Sequence, residues 1–271
     1  MGGLFYLLKK LKKICAIMLI LCLFPYIVTV FVNGKSNEAG KYTELEEYCL
    51  SVLSKEVSSE YEEEMLKVQA VIVRTTIYQN INEINWSELE TIKLEKGWEQ
   101  RLRKAWESTE GQVLMYDGNL ALLPFHYLSN GKTRSGTEVL QSEAYPYLQI
   151  RECLKDLEAP EQLGTQMLEL TNAEILATDH AGYVTKVKVG EETLTGESFR
   201  DKYQLASSAF ELQSFETKTC VITKGVGHGL GLSQYTANEM AKEGKTYQEI
   251  LQFFYEGTEM REVAEVLIKE E

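Results

Sequence analysis

The sequence predicts an α+β protein: an N-terminal transmembrane helix followed by a single exterior domain of mixed helices and antiparallel strands. Three observations carry that class. A long uncharged run directly follows a cluster of lysines. Beyond it, apolar residues recur with helical spacing. Further along, the period shortens to that of strands, with turn signals between them. The two kinds of segment are mixed without regular βαβ alternation, and no internal repeat is present.

The uncharged run is Ile14–Val32, preceded by Lys9, Lys10, Lys12 and Lys13. As a helix it spans about 28 Å at roughly 1.5 Å per residue, close to the hydrocarbon thickness of a bilayer. Pro25 is tolerated in such a helix. A cleaved signal peptide is the alternative, but the run exceeds the usual apolar region. In addition, Asn33-Gly34-Lys35-Ser36 offers no small-x-small cleavage site. The lysines place residues 1–13 in the cytoplasm as a basic tail, with 14–32 an uncleaved signal anchor. Residues 33–42 form a polar, Gly-containing linker, and 43–271 the exterior domain.

The exterior domain opens with two helices. Leu45, Tyr48, Cys49, Val52 and Leu53 mark an amphipathic helix over Thr43–Lys55, with Thr43 and Glu46 spaced as a capping box. Ser58-Ser59 provides a break and a new N-cap. A second helix over about 61–81 follows, its stripe formed by Leu66, Ala70, Val73 and Ile77. A third covers Gly97–Ser108. Gln112–Tyr116 and Leu120–Tyr127 flank Asp117-Gly118-Asn119, a hairpin signal. Tyr183–Val189 and Thr219–Thr223 read as strands, and Asn238–Glu243 and Tyr247–Tyr255 as helices separated by Gly244.

Composition narrows the function. Of 271 residues, 44% are hydrophobic and 25% charged, which excludes collagen-like, low-complexity and largely disordered chains. The net charge is −13, and the chain beyond the four lysines carries −17, so general nucleic-acid binding is excluded. Cys15 and Cys22 fall in the span; Cys49, Cys153 and Cys220 lie outside it and form no CxxC or Cys/His cluster. They read as small core residues. With His126, His180 and His228 far apart, neither a metal nor a cofactor is expected.

Three segments hold the candidate chemistry. Gly225-Val226-Gly227-His228-Gly229-Leu230-Gly231-Leu232-Ser233-Gln234-Tyr235 alternates glycine with other residues, which permits strained backbone and close approach of a ligand. It lacks GK[ST] and GxGxxG spacing, so a phosphate loop fits poorly, and a plain tight loop is the competing reading. Phe125–Arg134 is rich in side-chain donors, and alone a surface turn at a strand end is the favoured reading. Between the first two helices, Glu60, Glu62, Glu63 and Glu64 have a structural reason, the positive end of a helix dipole. Glu56 stands at the opposite end of the first helix, where that dipole disfavours a carboxylate. That position suits a general acid, although an exposed helix-end glutamate is the plainer reading.

Taken in order, these segments resemble the stage II sporulation protein D family and the related amidase-enhancer proteins. Family members carry a glutamate followed 13 residues later by Gln-Ala and then Arg-Thr, here Glu56, Gln69-Ala70 and Arg74-Thr75. His126, Ser129, Gly131 and Thr133 match a central His/Ser/Gly motif. Pro146-Tyr147-Leu148 and Ser198-Phe199-Arg200 through Phe210 are further landmarks, and Gly227–Tyr235 is the most specific. The resemblance covers roughly residues 43–260. The chain departs from the pattern at Val57-Ser58, where the family has Met-Pro, and at Thr236, where it has glycine.

The resemblance implies a membrane-anchored lytic transglycosylase of peptidoglycan, working in engulfment during sporulation. Its expected partners are glycan strands, a cell-wall amidase and other engulfment membrane proteins. One carboxyl group suffices, because the sugar's own 6-hydroxyl replaces the water or second carboxylate that a hydrolase requires. Glu56 takes the acid/base role. His126, Ser129, Gly131, Thr133, His228, Ser233, Gln234 and Tyr235 are expected to line the glycan groove, with Gln69 and Arg74 in support. Arg74 suits helix packing equally. The acidic exterior argues for recognition of a largely neutral, peptide-stripped sugar chain. Two alternatives stand: a non-catalytic glycan-binding protein that recruits or activates an amidase, and a Cys/His hydrolase, for which no motif exists.

Overall fold

The computed structural model describes residues 45–83, 94–109 and 111–264. The basic tail, the expected anchor 14–32 and the linker lie outside the described residues. Among those described, no helix is long and apolar enough to cross a membrane. The architecture is mixed α and β with mainly antiparallel sheets, as the alternating periods predict.

Residues 45–49, the described end of one compact unit, are helical. In the second unit, Leu50–Glu271, α1 (residues 50–56) is followed by a non-helical turn through Ser58-Ser59. The helix α2 (Glu63–Gln79) starts two residues later than its pattern predicts. Eleven of its residues are buried, from Met65 to Ile77, including the polar Gln69, Arg74 and Thr75, so it forms the centre of the helical part. It packs against α3 (Lys96–Glu107) and β1 (Gln112–Tyr116), and against α6 (Gln234–Lys242) and α7 (Tyr247–Phe254). Each fully buried apolar side chain there contributes about 1.5–3 kcal/mol.

The hairpin signal is realised between β1 and β2 (Asn119–Leu120), with Asp117 and Gly118 both at positive φ, 49° and 79°. The expected long second strand stops there. Pro124 has no N–H for a ladder, and its carbonyl instead accepts the Leu232 N–H and the Tyr255 hydroxyl. The strand resumes only as β3 (Phe125–His126), which pairs with β10 (Leu232–Ser233) in parallel rather than antiparallel fashion. β11 (Glu259–Glu262) completes the first sheet on the far edge of β1.

The middle of the chain builds two further antiparallel sheets. One orders β4 (Leu163–Leu168), β9 (Lys218–Lys224) and β8 (Phe210–Phe215); the other orders β5 (Ala173–Thr178), β6 (Val184–Val189) and β7 (Glu192–Leu194). Their shared core holds Leu168, Val184, Val187, Phe210 and Val221 together with Phe199 of α5 (Gly196–Tyr203). The Phe199 and Phe210 rings stack at 5.0 Å. A short helix α4 (Gly136–Leu140) and a 3-10 turn (Leu154–Glu158) lie between β3 and β4.

Candidate active site

The glycine-rich segment runs alongside the His126 segment. Leu128 exchanges backbone hydrogen bonds with Val226, and Ser233 pairs with His126 in the β10–β3 ladder. Two glycines show why the residue type is required. Gly227 has φ +115°, and a Cβ there would lie 2.7 Å from that of His126. Gly231 has φ +73°, and a Cβ would meet the Pro124 carbonyl oxygen at 1.9 Å. The close approach that these glycines permit is therefore to the protein's own backbone and side chains.

His126 is buried, and its Nδ1 lies 3.2 Å from the Leu230 carbonyl oxygen. A carbonyl only accepts, so Nδ1 carries the proton and Nε2 is left as an acceptor without a protein partner. The half-buried His228 ring lies 5.7 Å away, and its Nδ1 accepts the Leu230 N–H at 3.1 Å. Burial pushes His126 down to about 3, with the neighbouring His228 adding to the effect. His228 is lowered too, chiefly by burial. Both rings are neutral near pH 7 and act as hydrogen-bonding groups rather than cations.

Glu56 ends α1 with its side chain exposed. Its backbone carbonyl accepts the Gln234 side-chain N–H at 2.8 Å. Gln234, 6% exposed, also faces the Gln69 side-chain oxygen at 3.4 Å and accepts weakly from the Tyr61 hydroxyl at 3.4 Å. The Glu62 N–H donates to Asn238 at 2.8 Å, a second link from the 57–62 turn to α6. Tyr235 is half-buried, and its N–H donates to the Tyr127 carbonyl at 3.0 Å.

The remaining expected groove residues face inward. The Ser233 hydroxyl caps α6 and donates to Asp156. Ser129 is buried, its N–H bonded to Asp156 at 2.7 Å and its Oγ accepting the Gly131 N–H. Thr133 donates its hydroxyl to the Gln149 carbonyl and accepts the Arg151 N–H at 2.7 Å. Arg74 bonds within the packing of α3 and β1. Its guanidinium donates to Thr109 Oγ1 and to the carbonyls of Gln112 and Trp106, and lies 3.9 Å over the Trp106 ring. It fastens the end of α3 to β1, the packing role left open by the sequence.

The structure adds residues that the sequence pattern passed over. Asp156, fully buried, collects Ser129, Ser233 and Thr236. Arg134 is buried between Asp179 at 2.6 Å and Glu197 at 2.7 Å, and donates to the His228 carbonyl, holding the glycine-rich turn. Tyr127 is half-buried beside Tyr235. Among the described residues, no three His, Cys, Asp or Glu side chains group as metal ligands. Cys153 is buried and its thiol is pushed up to about 12, chiefly by desolvation, which leaves it a poor nucleophile.

A family model described as Stage II sporulation protein matches residues 33–116. Stage II sporulation protein D of Bacillus subtilis (strain 168) is 29% identical over 282 residues, covering 89% of this chain and 81% of the relative. The protein of the same name from Bacillus amyloliquefaciens is 29% identical over 280 residues, with the same coverage. An amidase enhancer of Bacillus subtilis (strain 168) is 26% identical over 76% of this chain, which spans 39% of that longer protein. With alignment running through most of its length and a family match over residues 33–116, this chain is similar to the stage II sporulation protein D family.

Proposed function

We propose that this protein is a peptidoglycan lytic transglycosylase, cleaving the β-1,4 bond between N-acetylmuramic acid and N-acetylglucosamine in peptide-stripped strands. The observation that carries the reading is Glu56: a solvent-facing carboxyl group whose own backbone is clamped by Gln234. Fixed backbone with a free side chain is what an acid/base residue needs. The protonated Glu56 carboxyl gives its proton to the leaving glycosidic oxygen as the C1–O bond breaks. The carboxylate then takes the proton of the muramic 6-hydroxyl as that oxygen bonds to C1, which closes the 1,6-anhydro ring. No water is consumed, so no second carboxylate is required. His228, neutral and half-buried, with the rings of Tyr127 and Tyr235, suits a sugar's hydroxyls and apolar faces.

The setting follows from family and sequence together: sporulation, with anchoring in the bacterial cell membrane through residues 14–32, the catalytic domain outside the cytoplasm, and a cell-wall amidase upstream to strip the stem peptides. The test is digestion of purified, peptide-free glycan strands by the full-length chain, with mass spectrometry of the products. Anhydro-muramic ends are expected; their absence overturns the reading. Kinship with an amidase enhancer supports a second reading, a non-catalytic glycan binder that recruits or activates the amidase. Retention on strands without product, together with faster amidase turnover, distinguishes it.

A further inference from the structure

Asp156 sits in the 3-10 turn Leu154–Glu158, outside the segments that carry the site residues, and is fully buried. Its Oδ2 accepts the Ser129 N–H at 2.7 Å. The Ser233 hydroxyl lies 2.9 Å from Oδ1 and 2.8 Å from Oδ2, and the Thr236 hydroxyl donates to Oδ1 at 2.6 Å. Burying a carboxylate costs several kcal/mol unless donors surround it. Here the donors come from two separate segments, the turn after β3 and the first turn of α6. That second turn also carries Gln234, whose side chain holds the Glu56 carbonyl.

We propose that Asp156 is a positioning residue of the site, one buried carboxylate that locks the His126–Gly131 turn to the start of α6 and, through Gln234, sets where Glu56 stands. Thr236 belongs to the same device. Holding two segments together needs only apolar packing. A carboxylate with directional donors fixes them in one orientation as well, which a reacting glutamate requires.

The catalytic part of this inference rests on the lytic reading; the positional part does not. The experiment compares the full-length chain with Asp156→Asn, Thr236→Val and Thr236→Ser by hydrogen exchange, thermal melting and turnover on peptide-free strands. Asp156→Asn is expected to speed exchange in both 127–134 and 229–238, and to lower kcat roughly ten-fold with KM changed less than about two-fold. Thr236→Val, nearly isosteric, is expected to follow it in part, and Thr236→Ser to restore wild-type behaviour. Unchanged exchange in either segment for a folded Asp156→Asn overturns the proposal, as does full turnover despite faster exchange. Should Asp156→Asn fail to fold, the Thr236 pair decides: identical Val and Ser variants overturn it. A wild-type chain that releases no anhydro product refutes the lytic reading, while the exchange comparison still decides whether Asp156 positions these segments.

Discussion

The Gln234 side chain donates to the backbone carbonyl of Glu56 at 2.8 Å, joining two residues 178 positions apart in sequence. One strand of contact follows from it: α1 ends on α6, α6 starts from β10, and β10 lies beside His126. Replacing Gln234 by Ala leaves the Glu56 carbonyl and the Tyr61 hydroxyl without their partner. Unsatisfied groups of this kind cost about 1–3 kcal/mol in total stability. Urea denaturation measures that loss, and turnover of peptide-free strands is expected to fall further than the unfolded fraction explains.

Gly231→Ala is expected to be among the most damaging single changes. Its Cβ would lie 1.9 Å from the Pro124 carbonyl oxygen, at a φ of +73°. Backbone displacement of this kind costs on the order of 3–5 kcal/mol. Gly97→Ala is the control: among the described residues nothing lies within 4 Å of its Cβ, and it sits in α3. Alanine there is expected to be neutral or to stabilise by about 0.5–1 kcal/mol. Paired melting curves check both.

Acid sensitivity is expected from His126. Its folded value of about 3 lies below that of the unfolded chain, so between them the unfolded state binds the extra proton. Stability contributed by the neutral ring is therefore present above about pH 6.5 and is lost as pH falls toward 3. His228 is shifted in the same direction. Asp156, raised by burial, works oppositely: its contribution is greatest below the ordinary carboxylate range and declines as pH rises. His126→Asn, which keeps a donor for Leu230, is expected to flatten the fall of Tm between pH 7 and pH 4.

The helical scaffold was legible because its signals are local. The stripe of α2 and the Ser58-Ser59 break specify that helix to within two residues, and Asp117-Gly118 specifies the first hairpin. β4 and β8 carried no clean alternation, since Leu163, Met167 and Phe215 stay exposed, at 65%, 53% and 54%. α5 was missed although Thr195 caps it, because its eight residues hold few apolar positions. In the candidate site, the family pattern named Glu56, Gln234 and the two histidines. It gave no hint of Asp156, whose donors lie 27, 77 and 80 residues away. Ser233 and Thr133 resembled ligand donors in sequence, and only three-dimensional contacts show their hydroxyls turned to Asp156 and Gln149.

Arg74→Lys separates packing from chemistry. Lysine cannot reproduce the fork that meets Thr109, Gln112 and Trp106, nor the stacking on the Trp106 ring. Stability is expected to drop by about 2–3 kcal/mol. Turnover per folded molecule is expected to stay near wild type, since Arg74 bonds to Thr109, Gln112 and Trp106, the packing of α3 against β1. A collapse of kcat at unchanged Tm would instead tie Arg74 to the reaction.

The most direct measurement is product analysis with Glu56→Gln. The substitution keeps the side chain's size and leaves the carbonyl that meets Gln234 in place, so melting temperature and strand binding are expected to match wild type. If Glu56 is the acid/base group proposed, the change is expected to lower formation of 1,6-anhydro ends by roughly a hundred-fold or more. Anhydro products released by Glu56→Gln at the wild-type rate would contradict the assignment of the reaction to this glutamate.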